Sequence, residues 1–209
     1  MEKGAVDVNK VDCQCCQLAK LHALPFNNND SISQAPDIWG PVPTTTMGGS
    51  RYFVIFVDDF SRYTWIYLLK NRSELQQVYY NFATMIRAQF SATIKVFRSD
   101  NAQEYKDKNF LNFLAENGTI PQYSCPGTSQ QNGRAERKHR RILETVRAFL
   151  ISAACPESLW GEAALTAVYT INRIPSPVIA NKYPYERLYG NLPNYDHLRV
   201  FGCVCFVLL

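Results

Sequence analysis

Two short apolar runs constrain this chain more than anything else in it. Tyr52-Phe53-Val54-Ile55-Phe56-Val57, inside Arg51 to Asp58, and Thr64-Trp65-Ile66-Tyr67-Leu68-Leu69 are built from aromatic, β-branched and leucine residues. Runs of this length and composition are read as buried strands. Met47-Gly48-Gly49-Ser50 ahead of the first run reads as a hairpin turn. Ser73 to Phe90 then changes period: Leu75, Val78, Phe82, Met85, Ile86 and Phe90 recur at helical spacing, with Ser73 as the expected N-cap. Ile94 to Phe97 reads as a strand leading to Asp100, and Lys108 to Glu116 as a short helix stopped by Asn117-Gly118.

The second half of the chain is helical in pattern. Ser124 to Gln131 is a loop rich in Pro, Gly, Ser and Thr; a long helix follows over Gly133 to Ser152. A second amphipathic helix spans Leu159 to Ile174 and ends before Pro175 and Pro177. Pro184 to Tyr189 reads as a short helix and Phe201 to Leu209 as a strand. Strands, helix, strand, then helices make a mixed α/β class. Residues 1–33, with the polar stretch Asn27-Asn28-Asn29-Asp30-Ser31, read as tail and linker. The core is expected over 34–175, with a C-terminal extension over 176–209.

Composition supports a folded core, with 46% hydrophobic and 19% charged residues. The formal charge of +4 permits nucleic-acid binding without demanding it. No run of 18 apolar residues suggests a membrane helix, and Met1 to Asp7 is unlike a signal peptide. The seven cysteines do not form a disulfide framework, which points to reduced thiols in an intracellular compartment. Cys125, Cys155, Cys203 and Cys205 read as buried thiols.

Three acids stand in separate contexts. Asp37 lies in Ala35-Pro36-Asp37-Ile38-Trp39-Gly40-Pro41, Asp100 in Phe97-Arg98-Ser99-Asp100-Asn101, and Glu136 in Gly133-Arg134-Ala135-Glu136-Arg137-Lys138-His139; 35 residues separate the last two. Each alone has a plain reading: a turn former, a strand-end turn, a charge at a helix N-terminus. Together, carboxylates on three elements are able to hold two magnesium ions roughly 3.5–4 Å apart, as phosphoryl transfer requires. At about 100° per residue, Ala135, Ile142, Val146, Phe149 and Leu150 form an apolar stripe on the long helix. Glu136 falls on the border of that stripe, close to Arg140 and Arg147, while Arg134, Lys138 and Arg141 point further out. Asp58 and Asp59 are read as structural, because adjacent acids on a strand face opposite sides.

These blocks, in this order, resemble the integrase core of copia-type long-terminal-repeat retrotransposons, a branch of the D,D-35-E integrases. Besides the three acidic blocks, the resemblance rests on Arg51-Tyr52-Phe53-Val54-Ile55-Phe56-Val57-Asp58-Asp59, Ser124-Cys125-Pro126, Gln130-Gln131-Asn132-Gly133 and Leu198-Arg199-Val200-Phe201-Gly202-Cys203. It runs from about Cys13 to the end of the chain, as a piece of a Pol polyprotein. It implies an RNase H-like fold, a mixed central sheet flanked by helices. It implies Asp37, Asp100 and Glu136 as catalytic metal ligands for two Mg²⁺ or Mn²⁺ ions. The implied activity is 3′-end processing followed by strand transfer into target DNA, by a homo-oligomer acting in the nucleus and without a membrane partner.

The same resemblance frames the remaining motifs. Six Lys or Arg residues lie between Arg134 and Arg147. With Gln131 and Asn132, the cations Arg134, Arg137, Lys138, Arg140 and Arg141 are the expected DNA contacts, mostly to phosphate. The family places two His before a Cys pair to bind Zn²⁺. Cys13 and Cys16 supply such a pair, but the 12 residues before Cys13 contain no His, so that module is expected to be truncated. Ala102 stands where the family has Gly. A second reading therefore stays open, a remnant that binds nucleic acid without joining it. An RNase H-like nuclease acting on hybrids is a third reading, which the copia-like blocks argue against.

Overall fold

The computed structural model describes residues 37–99, 102, 105–123 and 133–204, with Asp37 and Arg134 described by backbone alone. Strands β1 (Asp37–Trp39), β2 (Tyr52–Val57) and β3 (Thr64–Leu69) form an antiparallel sheet in that order. Asp37 pairs opposite Ile55 and Trp39 opposite Phe53; Tyr52 pairs opposite Leu69. Strands β4 (Val96–Ser99) and β5 (Ile120–Tyr123) form a parallel pair. The helices are α1 (Leu75–Phe90), α2 (Lys108–Glu116), α3 (Gly133–Ser152), α4 (Trp160–Ile171) and α5 (Pro184–Tyr189).

Strand β2 explains why its sequence is apolar at consecutive positions. Its residues alternate between two cores. Val54 and Phe56 pack with Tyr79 and Phe82 of α1 and with Phe110 and Leu114 of α2. Phe53, Ile55 and Val57 pack with Ile142 and Val146 of α3 and with Trp160, Ala164 and Val168 of α4. A strand covered on both faces has no solvent side on which to place polar residues. The sheet is therefore the middle layer of a helix–sheet–helix arrangement, the mixed α/β pattern expected from the sequence.

Small residues permit two close approaches. At Gly40, where the chain leaves β1 with φ 129°, an added Cβ would lie 2.6 Å from the Arg51 carbonyl oxygen. At Gly161 a Cβ would lie 2.6 Å from the Thr46 methyl group, so the first turn of α4 rests directly on the β1–β2 connection. Trp160 fixes the same contact, donating from Nε1 to the Thr44 carbonyl at 2.9 Å.

Several elements differ from the sequence reading. Ser73 is not an N-cap: it lies inside a 3-10 turn, Arg72–Glu74, and α1 begins at Leu75 without a side-chain cap. The Glu74 carboxylate instead accepts from the Lys70 backbone N–H at 3.2 Å. Strand β4 starts at Val96 rather than Ile94. Strand β5 was not anticipated, since Ile120-Pro121-Gln122-Tyr123 has no apolar alternation and contains a proline. Pro121 lacks an N–H and is tolerated at the edge of a ladder. The helix expected over Leu159 to Ile174 is shortened to Trp160–Ile171, behind a 3-10 turn at Glu157–Leu159.

The expected strand from Phe201 is absent over 201–204, which are turn and coil; residues 205–209 lie outside the described residues. Gly202 has φ 81°, and a Cβ there would lie 2.4 Å from that of Ala153. The chain turns against the end of α3, and Phe201 stacks on Phe149 with centroids 5.3 Å apart instead of joining a ladder. The cysteines are also less buried than expected: Cys155 is half-buried and Cys203 exposed. Cys125 and Cys205 lie outside the described residues.

Asn172, just beyond α4, shows how tertiary contacts end that helix. It is 2% exposed. Its Oδ1 accepts from the Thr64 N–H at 2.9 Å, and its Nδ2 donates to the Thr64 carbonyl at 2.8 Å. One amide thereby satisfies both backbone groups of a buried strand residue. Asn172→Ala is expected to lose about 3 kcal/mol, because two buried polar groups are left without a partner. Chemical denaturation measures this, and a loss below about 1 kcal/mol would show that other groups or water serve Thr64.

Candidate active site

Of the three expected acids, Asp37 and Glu136 fall within described elements. Asp37 is the first residue of β1, its backbone opposite Ile55; its side chain lies outside the described residues. Strand β4 ends at the fully buried Ser99, and Asp100, the next residue, lies outside them too. Glu136 is in the first turn of α3 and is exposed.

The position of Glu136 is set by what lies beneath it. Ala135 is 2% exposed and Ile142 fully buried, as the apolar stripe required. Between them lies His139, only 5% exposed, a residue the stripe did not include. Its ring stacks on Phe53 with centroids 5.1 Å apart and planes 25° apart. Phe53 in turn lies 5.3 Å from Trp39 of β1, and Trp160 stands edge-on to Trp39 at 6.4 Å. An aromatic cluster thus ties the second turn of α3 to the strand that begins with Asp37. The signal was present in the spacing: Ala135, His139, Ile142 and Val146 recur at four, three and four residues. Histidine was missed because it was counted as polar.

The remaining acids behave as structural groups. Asp58 and Asp59 lie past the end of β2, in the turn to β3, and not on the strand itself. Asp58 accepts from the Ser61 N–H at 2.7 Å and from its hydroxyl at 2.6 Å. Asp59 pairs with Arg62 at 3.0 Å. Glu104 lies outside the described residues.

The cations divide more sharply than the helical wheel suggested. Arg137, Arg140, Arg141 and Arg147 are exposed. The Arg137 guanidinium folds back over the helix start, where a Cβ on Gly133 would meet it at 3.2 Å. Lys138 does not point outward as expected. It is half-buried, and its ammonium donates to the Arg62 carbonyl at 3.5 Å. Burial, with Arg141 and Arg62 nearby, pushes its pKa down to about 8. Gln131, Asn132, Cys13, Cys16 and the Arg134 side chain lie outside the described residues.

Among the described residues no three His, Cys, Asp or Glu side chains gather into a metal-binding group. Of the three acids named from the sequence, Asp100 and the Asp37 side chain lie outside the described residues. An all-carboxylate set suits a hard cation such as Mg²⁺ or Mn²⁺. Glu136 fits that use: it is exposed and makes no hydrogen bond or ion pair with the described residues. A cavity of about 590 Å³ lies on the opposite face of the sheet, lined by Phe56, Trp65, Phe82, Ile86 and Leu188 among others. Its mostly apolar wall is unsuited to a phosphodiester.

Residues 36–129 match the model of the integrase core domain, the segment that begins next to Asp37 and passes Asp100. The chain carries an integrase core domain. Its fold is RNase H-like. It is 37% identical over 202 residues to the retrovirus-related Pol polyprotein from transposon RE1 of Arabidopsis thaliana, covering 94% of this chain and 14% of that polyprotein. Against the Pol polyprotein from transposon TNT 1-94 of Nicotiana tabacum it is 39% identical over 201 residues, 93% of this chain and 15% of the relative. The Ty1-NL2 Gag-Pol polyprotein of Saccharomyces cerevisiae is 32% identical over 143 residues, 68% of this chain and 8% of its own length. The integrase core thus spans a small part of the copia-type polyproteins it matches.

The aromatic contact under Glu136 has a measurable consequence. His139→Ala is expected to lower stability by about 2 kcal/mol through the lost ring contact and the cavity, while His139→Phe retains most of it. Thermal or urea melts of the two variants separate these effects. An unchanged midpoint for His139→Ala would mean that Ala135 and Ile142 alone hold the helix to the sheet.

Proposed function

We propose that this integrase core joins retrotransposon DNA to target DNA, with Asp37, Asp100 and Glu136 as its catalytic carboxylates. The observation that carries the reading is the placement of Glu136. It stands exposed on the first turn of a helix whose second turn is stacked against β2, beside the strand that begins with Asp37. Alternate positions of a strand share a face. Position 37 therefore shares the face of Trp39, the side on which α3 packs.

In this reading the chemistry has two steps. A water oxygen attacks a phosphorus near the element's 3′ end, the bond from that phosphorus to the element's 3′-oxygen breaks, the departing nucleotides keep the phosphate, and a proton from the water ends on the freed 3′-oxygen. The freed 3′-hydroxyl then attacks a phosphorus of target DNA, loses its proton, and displaces the target's own 3′-oxygen. Bond count is conserved in the second step, so no external energy source is needed. Two Mg²⁺ or Mn²⁺ ions, when bound, supply activation of the attacking oxygen and stabilisation of the leaving one. The acids of the chain hold those ions, and Arg137, Arg140 and Arg147, exposed on α3, pair with phosphates of the bound DNA. The active form would be a homo-oligomer working on DNA in the nucleus. A Zn²⁺ module at Cys13 and Cys16 has no part in this reading; both residues lie outside the described residues.

A strand-transfer assay with a labelled DNA end tests this. Joining in the presence of Mg²⁺ or Mn²⁺ is expected for the wild type. Glu136→Gln is expected to reduce it by at least 10³-fold, since a metal ligand is lost. Asp58→Asn keeps an acceptor for Ser61 and is expected to stay within a few-fold of wild type. Joining that survives Glu136→Gln would remove that residue from the chemistry. A folded wild type that binds DNA and joins nothing would leave the binding remnant as the better account.

A further inference from the structure

The cavity on the α1 side of the sheet has no part in the chemistry proposed above, yet it is built like a binding site. Its volume is about 590 Å³, within the range of roughly 300–1,000 Å³ typical of small-molecule pockets. Helix α1 supplies Phe82, Ile86 and Phe90 to its wall, β2 supplies Phe56, and α5 adds Leu188. The aromatic rings are held by one another. Phe56 stacks on Phe82 with centroids 4.4 Å apart, Trp65 stands edge-on to Phe82 at 5.2 Å, and Phe97 meets Tyr79 at 4.7 Å. Collapse of the cavity would break these contacts, so the space is kept open. Water inside such a wall finds few hydrogen-bond partners, whereas an apolar molecule needs none.

One stretch of the wall is not apolar. Lys95, Arg98 and Gln122 line the cavity as well. Arg98 and Gln122 stand opposite each other across β4 and β5. Arg98 donates from Nε and Nη2 to Gln122 Oε1 at 3.1 and 2.7 Å. That fixes the plane of the guanidinium and uses only part of its donor fork. The acceptor is neutral, and among the described residues neither Arg98 nor Lys95 makes an ion pair. The acids that line the cavity, Asp58 and Asp59, are engaged in the β2–β3 turn by Ser61 and Arg62. An apolar body and two cations, one of them with a fixed plane, therefore share one cavity.

We propose that this cavity binds a small amphipathic anion, an alkyl chain ending in one carboxylate. The chain lies among Phe56, Phe82, Ile86 and Leu188, and the carboxylate accepts from Arg98 and Lys95. A guanidinium held in plane suits the two oxygens of such a head group. The sign of the head group follows from the two cations, and the single charge follows from the apolar remainder of the wall. The site lies across the sheet from α3, which packs on the other face of β2. It stands independently of the DNA-joining reading.

The test is binding to the whole chain by calorimetry and thermal shift, with decanoate, 1-decanol and decylammonium as probes at submillimolar concentration. Decanoate is expected to bind with a stoichiometry of about one and to raise the melting temperature. Decanol is expected to bind more weakly and decylammonium more weakly still. Arg98→Met is expected to weaken decanoate about tenfold, through loss of a charge-assisted hydrogen bond, and to leave decanol unchanged. Lys95→Met, on an exposed residue, carries the charge test if Arg98→Met does not fold. Ala92→Trp, which places a large ring at the cavity wall, is expected to abolish binding of all three probes. A folded wild type that binds none of them would overturn the site. Equal affinity for decanoate and decanol would overturn the acidic head group. Decanoate binding untouched by Arg98→Met, Lys95→Met and Ala92→Trp would place it elsewhere on the surface and overturn the assignment to this cavity. A dimer in sedimentation velocity that Ala92→Trp disrupts would give the cavity to a second copy of the chain and overturn the small-ligand reading.

Discussion

The contact on which the candidate site depends is the stacking of His139 on Phe53. It brings helix α3 onto strand β2 at the point where β2 pairs with β1. Trp39 and Trp160 extend the contact sideways, so strand β1 and helices α3 and α4 share one aromatic cluster. Rings of this size bury large areas and tolerate little displacement. Acids drawn from separate elements would need that rigidity to hold a metal ion together, because coordination fails if one of them drifts by an ångström.

The same helix illustrates how one element serves opposite purposes. Its buried stripe of Ala135, His139, Ile142 and Val146 supplies packing. One border presents Glu136, exposed on the first turn. Beyond it, Arg137, Arg140 and Arg147 are exposed. The other border presses Lys138 into contact with the β2–β3 turn, where the ammonium has lost water and gained two positive neighbours. A half-buried charge of this kind costs stability that the surrounding core offsets. Here the offset comes from two cores, one on each face of a sheet whose central strand is apolar at every buried position.

How much was legible in advance varied with the kind of signal. Segments with clear composition and bounded ends read well: α2, α3 and α5 lie where the sequence placed them, as does β3. Local capping read poorly at Ser73, because a 3-10 turn replaced the expected start and no side-chain cap formed. Strand β5 was invisible, since its residues owe their conformation to β4 rather than to any preference of their own. The strand expected from Phe201 failed for a related reason: the apolar residues there were read as ladder-forming, whereas Phe201 found its partner in Phe149 on a helix.

The sequence by itself determined the family and the fold class, and named the acids. Order and spacing of short motifs survive without coordinates, and an all-carboxylate donor set announces a hard cation by chemistry alone. What only the tertiary structure decided was which neighbours those residues keep. His139 became a core residue because its flat ring matches Phe53 across a helix–strand contact, and Lys138 became an inward cation because the β2–β3 turn lies beside it. A helical wheel records angles around one axis. It contains no information about what stands opposite, and burial and electrostatics are set by what stands opposite.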